Sequence, residues 1–135
     1  MKPRAVIVHG LADAEAALTA AAALGRRVVL LSAADAAAHG GAGWFQALVT
    51  EAARRHPGAH FTAILDCGAR ADLVQSAFAE GLREVVFRGW PRLAGPLLDI
   101  ARQRGAKLHR RAPVALDLLG EDDPTAACRA WLGRD

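Results

Sequence analysis

Short runs of β-branched and other apolar residues recur along this chain, and each run ends in a polar residue before a helix-like segment. The polar residues that close these runs are His9, Ser32, Asp66, Arg88 and His109. A strand of a parallel sheet is buried on both faces, so it reads as a continuous apolar burst. The pattern therefore predicts five parallel strands, at residues 5–9, 27–31, 61–65, 84–87 and 107–110.

Helical segments fill the intervals between these strands. Start and stop signals place helices at 13–24, 44–55, 71–80 and 91–104, with Asp13 as the N-cap of the first and Gly25 as its stop. A last helix begins at Asp123, followed by Pro124 in its first turn.

Two segments are harder to assign. The helical start at 32–38 is broken by the glycines at 40, 41 and 43. The segment 113–119 fits a sixth strand, a loop packed on the sheet or a helical turn, and the sequence leaves these three open.

Alternating strands and helices indicate an α/β fold, and 135 residues suffice for one domain. We predict a single three-layer αβα domain over 1–135, built on a doubly wound, mostly parallel sheet of five strands. The expected strand order is the flavodoxin-like 2-1-3-4-5. The alternatives are another Rossmann-like order and half of a (β/α)8 barrel, because strand tips with Asp or Arg also line barrel mouths.

Composition limits the environment and the partners of the chain. It is 53% hydrophobic but only 5% aromatic, which is typical of a globular core built from Val, Leu and Ala. No apolar stretch approaches the ~20 residues that span a bilayer. The first apolar run, 5–8, is also too short for a signal peptide, so we expect a cytoplasmic protein with no membrane partner. Cys67 and Cys128 match neither a disulfide framework nor a zinc spacing, so we expect both reduced and predict no metal.

The charge pattern does not favour nucleic acid as a partner. The net charge is +3, but the basic residues are spread along the chain and answered by 14 acidic ones. Known catalytic and phosphate-binding motifs are missing as well. The chain has no Gly-x-Ser-x-Gly elbow, no Gly-x-Gly-x-x-Gly fingerprint and no Walker lysine motif.

The candidate site follows from the fold prediction. Ligands of open α/β sheets bind outside the carboxyl ends of the strands, where the strand order reverses. Under the order 2-1-3-4-5 this point lies between the first and third strands. The predicted ligand-binding residues are His9, Gly10, Gly40, Gly41, Gly43, Asp66, Cys67, Gly68, Arg88 and Trp90.

Several of these residues carry specific chemical expectations. His9 is a candidate general base, and Asp66 is either a site carboxylate or a helix cap. Cys67 precedes a helix start that would favour its thiolate, which makes it a candidate nucleophile. Arg88 could grip a phosphate or carboxylate while Trp90 covers a planar or apolar group.

Two functions are compatible with these residues. One is the binding of a phosphate- or carboxylate-bearing small molecule at the carboxyl edge of the sheet, with or without catalysis. The other is a noncatalytic module that contacts another protein or forms a homodimer, with tryptophan and arginine anchors. The sequence indicates no reaction and no cofactor.

Overall fold

A computed structural model describes residues 2–134 and has an α/β fold, with a parallel sheet of six strands flanked by helices. The predicted fold class is confirmed, and flanking helices are consistent with three layers. The elements are β1 (Arg4–Val8), α1 (Leu11–Leu24), β2 (Val28–Ser32), α2 (Ala36–His39), α3 (Gly41–Arg55), β3 (Phe61–Asp66), α4 (Ala71–Ala79), β4 (Glu84–Val86), α5 (Pro91–Gln103), β5 (Lys107–His109), β6 (Ala115–Asp117) and α6 (Pro124–Leu132).

The strand order differs from the predicted one. It is β5-β4-β3-β2-β1-β6, so the first five strands are neighbours in chain order and a sixth strand joins the free side of β1. The segment left open at 113–119 supplies that strand. The predicted switch point between β1 and β3 is therefore wrong, and the order reverses instead at β1 and β6. Apolar runs reveal strands but not neighbours, because a long crossover can return on either side of the strand before it.

The chain forms two compact units. Unit 1 contains residues 2–31, 47–62 and 113–134, and unit 2 contains residues 32–46 and 63–112. The prediction of a single domain over 1–135 stays a prediction.

In unit 1, α1 packs against α6 and β1. The buried face of α1 consists of five alanines and Leu18, and small side chains let a helix approach its neighbours closely. β1 pairs in parallel with β6, with Ile7 opposite Asp117. Asp123 caps α6 as predicted, accepting a hydrogen bond from the Ala126 amide at 3.1 Å.

In unit 2, β4 pairs in parallel with both β3 and β5, while α5 packs on α4 and β5. Phe45 and Phe87 are fully buried and are the largest core side chains of this unit. Pro91 opens α5, as the sequence predicts. At the carboxyl end of β3 the buried polar residues Ser32 and Asp66 interrupt the apolar core.

Candidate functional site

Asp66 ends β3 in unit 2, and its carboxylate accepts three hydrogen bonds from the protein. The residue is only 2% exposed. Its Oδ1 accepts hydrogen bonds from the amides of Gly68 at 2.9 Å and Asp35 at 3.2 Å. Its Oδ2 accepts one from Arg88 Nη1 at 2.5 Å. A buried carboxylate with three donors is stable as a structural group, because its charge and its lone pairs are both satisfied.

Arg88 is held by two carboxylates. Besides its bond to Asp66, its Nη2 lies 3.2 Å from Asp35 Oδ1. The hydrogen bond to Asp66 raises the pKa of Arg88, and the charge of Asp35 adds to that effect against the opposing effect of burial. We call Asp66, Asp35 and Arg88 the Asp66 cluster. Its two carboxylates and one guanidinium give it a net negative charge. The expectation that Arg88 binds an anion therefore loses its electrostatic basis, because two carboxylates already compensate the charge of its guanidinium.

The backbone around Asp66 is shaped to fit this cluster. Asp35 adopts a left-handed conformation with φ 58°, and Gly68 has the same φ. A Cβ added at Gly68 would lie 1.9 Å from Asp35 Oδ1. The Ser32 hydroxyl accepts the Asp66 amide at 2.8 Å and donates to the Ala33 carbonyl at 3.1 Å. Gly68 thus has a structural reason to be glycine.

Cys67 is buried beside Asp66. The residue is 1% exposed, and its amide donates to the Val86 carbonyl at 2.9 Å. Burial and the nearby charges of Asp66 and Asp72 raise the pKa of its thiol to about 12. This direction is opposite to the thiolate expected from the helix start, because burial of the thiol and the neighbouring carboxylates disfavour its charged form. Nothing in this geometry supports a nucleophile.

Another of the predicted site residues, Trp90, lies after β4 on the surface. Trp90 is the N-cap residue of α5, and its side chain is 70% exposed. The loop that carries it is braced by Arg110, which donates to the carbonyls of Phe87 at 2.9 Å and Gly89 at 2.7 Å. The Arg110 guanidinium also lies over the Phe87 ring, 5.3 Å from its centroid.

Arg92 lies beside the exposed tryptophan, with its guanidinium carbon 6.0 Å from the centroid of the Trp90 ring. Within residues 2–134, neither Arg92 nor Arg110 forms an ion pair with a carboxylate. We call Trp90, Arg92 and Arg110 the Trp90 rim. It combines an uncovered aromatic surface with cations whose charge is not neutralised.

The glycine cluster is part of a helix rather than a loop. α3 begins at Gly41, so Gly43 lies inside its first turn. Gly41 has φ 82° at the junction between α2 and α3. A Cβ at Gly40 would come within 2.7 Å of the Trp44 ring. Two of these glycines therefore have packing or backbone reasons, and the helix break predicted at these glycines falls at Gly40, between α2 and α3.

In unit 1, His9 and Asp117 meet at the ends of the neighbouring strands β1 and β6. His9 Nε2 lies 2.6 Å from Asp117 Oδ1, and the same oxygen accepts the Leu119 amide at 2.9 Å. Burial alone would raise the pKa of Asp117, but the hydrogen bonds from His9 and Leu119 outweigh it, and the pKa lies below its ordinary value. The two side chains are 28% and 50% exposed, so solvent reaches both.

Gly10 and Asp13 connect this pair to α1. Gly10 is the N-cap residue of the helix, in an extended conformation with φ −173°. Asp13 lies within the first turn and accepts the His9 amide at 2.9 Å. The prediction of Asp13 as N-cap is wrong by three positions. Its carboxylate instead satisfies the backbone amide of His9, which lies just before the N-cap residue.

The predicted site residues thus fall into separate groups. His9 and Gly10 belong to unit 1, while the predicted residues from 40 to 90 belong to unit 2. Sequence reasoning missed Asp35 and Asp117, which complete the two charged pairs. Both lie in segments that the apolar pattern left unassigned, so no sequence signal placed them at a strand end.

The structure adds two findings on other classes of function. Among residues 2–134, no group of three or more His, Cys, Asp or Glu side chains is arranged to hold a metal ion. Over the same residues, no helix has both the length and the apolar character needed to cross a bilayer.

Comparison with known proteins gives no family for this chain. No protein-family model matches it, and no curated protein is significantly similar to it. Any statement about its function therefore rests on the geometry described above.

Proposed function

We propose that the protein binds a small molecule that carries both a planar group and a phosphate or carboxylate, and that the Trp90 rim of unit 2 is the binding surface. The observation that carries the proposal is the 70% exposure of Trp90 beside Arg92 and Arg110. An uncovered indole offers a ligand a large apolar area to bury, and that burial would stabilise the complex.

The charges around the tryptophan support an anionic ligand. A planar group stacks on the indole, and guanidinium groups bind phosphate or carboxylate through paired hydrogen bonds. Arg110 donates two hydrogen bonds to backbone carbonyls, which fixes its position, and no carboxylate among residues 2–134 pairs with its charge. Arg88 has a different role, because Asp66 and Asp35 already hold it.

Thermal unfolding with three related compounds tests this proposal. Adenosine monophosphate supplies the planar group and the anion, adenosine supplies only the first, and inorganic phosphate only the second. We expect the nucleotide to stabilise the protein most, by about 2.7 kcal/mol at a hundred times its dissociation constant. Quenching of Trp90 fluorescence provides a second signal, with Trp90→Phe as its reference.

Matched arginine variants locate the site. Arg92→Gln should weaken nucleotide binding about fivefold, as the loss of one partly exposed cation predicts. Arg129→Gln removes an equally exposed cation from α6 in unit 1 and should leave binding unchanged. If no compound that combines a planar group with an anion raises the unfolding temperature, or both variants bind alike, the proposal fails. Arg88→Ala is unsuitable as a test, because it unpairs buried Asp66.

A second candidate function is self-association through β6, and one observation favours it. β6 is the terminal strand of the sheet order, and the exposed apolar residues Val114 and Leu119 flank it, at 84% and 72% exposure. A free strand edge carries unpaired backbone donors and acceptors that suit a second copy of the same edge.

Light scattering after gel filtration tests the second candidate. We expect a dimer for the unaltered protein and a monomer for the double variant Val114→Lys, Leu119→Lys, because charge on an edge blocks pairing. A monomer at every concentration up to the millimolar range would remove this function.

A further inference from the structure

The strand order of the sheet reverses at β1 and β6, and His9 and Asp117 lie together at this point in unit 1. Asp117 is the last residue of β6, and His9 directly follows β1. The two strands run parallel, with Asp117 opposite Ile7, so their carboxyl ends lie on the same edge of the sheet. Open α/β sheets bind ligands outside the carboxyl ends of the strands at such a reversal. The pair therefore occupies a position in this fold that suits a ligand.

The imidazole of His9 is fixed both in position and in tautomer. The backbone amide of His9 donates to Asp13 Oδ2 at 2.9 Å, while the ring Nε2 lies 2.6 Å from Asp117 Oδ1. Burial would raise the pKa of Asp117, but the hydrogen bonds from His9 and the Leu119 amide outweigh it and hold the pKa below its ordinary value. The carboxylate is therefore charged at neutral pH and only accepts hydrogen bonds. This places the ring proton on Nε2 and leaves Nδ1 with a lone pair.

Water and a small substrate have access to this ring. The His9 side chain is 28% exposed, and its Nδ1 makes no hydrogen bond among residues 2–134. The loops that leave the two strand ends each contain a glycine, Gly10 and Gly120. In the part of the chain that the structure describes, a Cβ added at either glycine would have open space around it. An oriented ring with a free basic nitrogen beside open space is suited to proton transfer.

The simplest alternative is that the pair only ties β6 to β1. The two strands are already paired through their backbones, and an ion pair that water reaches contributes about 0–1 kcal/mol. A second pair in unit 1, between His56 and Glu15, fits this structural role. It joins the segment between α3 and β3 to α1, with His56 Nε2 3.1 Å from Glu15 Oε1. A tie between strands does not account for the free nitrogen of His9 at the reversal of the strand order.

The charges near the pair favour an uncharged substrate. Asp13 contacts the backbone of His9, and Glu121 follows in the loop after β6. In the sequence segments 5–25 and 113–128, which contain both strand ends, His9 is the only basic residue. Carboxylates close to the ring repel an anion, which disfavours phosphate esters. Among uncharged carboxyl compounds, an ester has a better leaving group than an amide and needs less further assistance from the protein.

We propose that His9 is the general base, and Asp117 its positioning residue, in the hydrolysis of an uncharged carboxylic ester. His9 Nδ1 takes a proton from water while the water oxygen bonds to the carbonyl carbon. The tetrahedral intermediate then breaks its C–O bond to the alcohol, and the imidazolium gives its proton to the departing alcohol oxygen. The products are a carboxylic acid and an alcohol, and the imidazole is neutral again. This activity is separate from ligand binding at the Trp90 rim, which belongs to unit 2.

Hydrolysis of p-nitrophenyl acetate by the full chain at pH 7, followed by the absorbance of p-nitrophenolate, tests the proposal. His9→Gln should lower kcat/KM at least about a hundredfold, which is the contribution of a general base. Asp117→Asn should lower kcat at least about tenfold and leave KM unchanged, because Asp117 orients the ring without touching the substrate. The rate should also be lower in deuterium oxide, since a proton moves as the water attacks.

A matched histidine variant and a charged ester are the controls. His56→Gln removes a histidine of similar exposure that is also paired with a carboxylate, and it should hydrolyse the ester like the unaltered protein. The mono-p-nitrophenyl ester of succinic acid adds a carboxylate to the substrate and should react at least about fivefold more slowly. Circular-dichroism melting of each variant checks that it folds.

Three outcomes would overturn the proposal. The first is an equal rate for His9→Gln and the unaltered protein, and the second is an equal loss in His56→Gln. The third is an equal rate in water and in deuterium oxide, which would mean that the ring does not act as a base. The assay contains no nucleotide, so its result does not depend on whether the Trp90 rim binds one.

Discussion

Two strand ends of this chain place a carboxylate beside a basic side chain, and they differ in burial. In unit 2 the Asp66 carboxylate is 3% exposed and is bound by Arg88, with two backbone amides completing its hydrogen bonds. In unit 1 the Asp117 carboxylate is 50% exposed and shares one oxygen between His9 and the Leu119 amide. Asp66 is therefore enclosed by the protein although Arg88 is 36% exposed, whereas both members of the second pair are open to water.

The difference shows that a polar residue at a strand end is not by itself a binding group. Asp66 satisfies the backbone at the end of β3 and neutralises Arg88, so the Asp66 carboxylate is not available to a ligand and the charge of Arg88 is already compensated. The Trp90 rim has an exposed ring and cations that pair with no carboxylate in the described part of the chain. Available charge and uncovered surface are therefore better guides to a site than position at a strand end.

The largest expected effect concerns Cys67, which shares the enclosure of Asp66. A pKa raised from 9.0 to about 12 leaves about a thousandfold less thiolate below pH 9 than in a free thiol. We expect iodoacetamide at pH 8 to leave Cys67 unmodified in the folded protein and to alkylate it in urea, as followed by mass spectrometry. Fast alkylation without urea would show that the Asp66 cluster is open after all.

Asp66→Ala should reduce the free energy of unfolding by about 3 kcal/mol. The substitution leaves the amides of Gly68 and Asp35 without their acceptor and unpairs one side of Arg88. Urea unfolding measures the loss. Asp72→Ala, which removes an exposed carboxylate paired with Arg70, is the control and should change little. Equal stabilities of the two variants would contradict a structural role for Asp66.

Gly68→Ala should cost about 2 kcal/mol, because its φ of 58° disfavours a Cβ and the added carbon would meet Asp35 Oδ1. Gly95→Ala is the matched control. Gly95 lies in α5 with open space around it, so alanine there should stabilise the helix by about 0.5–1 kcal/mol. Thermal unfolding of both variants measures the contrast, and a neutral Gly68→Ala would show that the turn can relax.

The smallest expected effect is at the exposed pair. Asp117→Asn should cost less than about 1 kcal/mol at pH 7, because half of the carboxylate is in water. The folded pKa of Asp117 lies below the ordinary 3.8, so its contribution is present above that pH and is lost as the pH falls through the folded pKa.

Urea unfolding between pH 7 and pH 2 checks this dependence. The difference between Asp117→Asn and the unaltered protein should disappear at the acidic end. A difference of several kcal/mol at pH 7 would mean that the Asp117 carboxylate is as enclosed as that of Asp66.

Much of the fold was predictable from local patterns. Apolar runs located five strands, glycine at 25 marked the end of α1, and Asp123 with Pro124 marked the start of α6. These features depend on residues that are close in the sequence. The candidate site was less predictable, because Arg88 and Asp35 lie 22 and 31 positions from Asp66, and Asp117 lies 108 positions from His9.

The amino-acid sequence by itself determined the α/β class, most element boundaries and the residues that end the strands, since burial period and capping are local properties. Only the tertiary structure decided the strand order, the sixth strand and the availability of each charged group. The strand order depends on the side of the sheet edge to which each crossover returns. The availability of a charged group depends on whether donors from distant parts of the sequence reach it. The energy of a charge in a protein is set by the neighbours that surround it rather than by its own position in the chain.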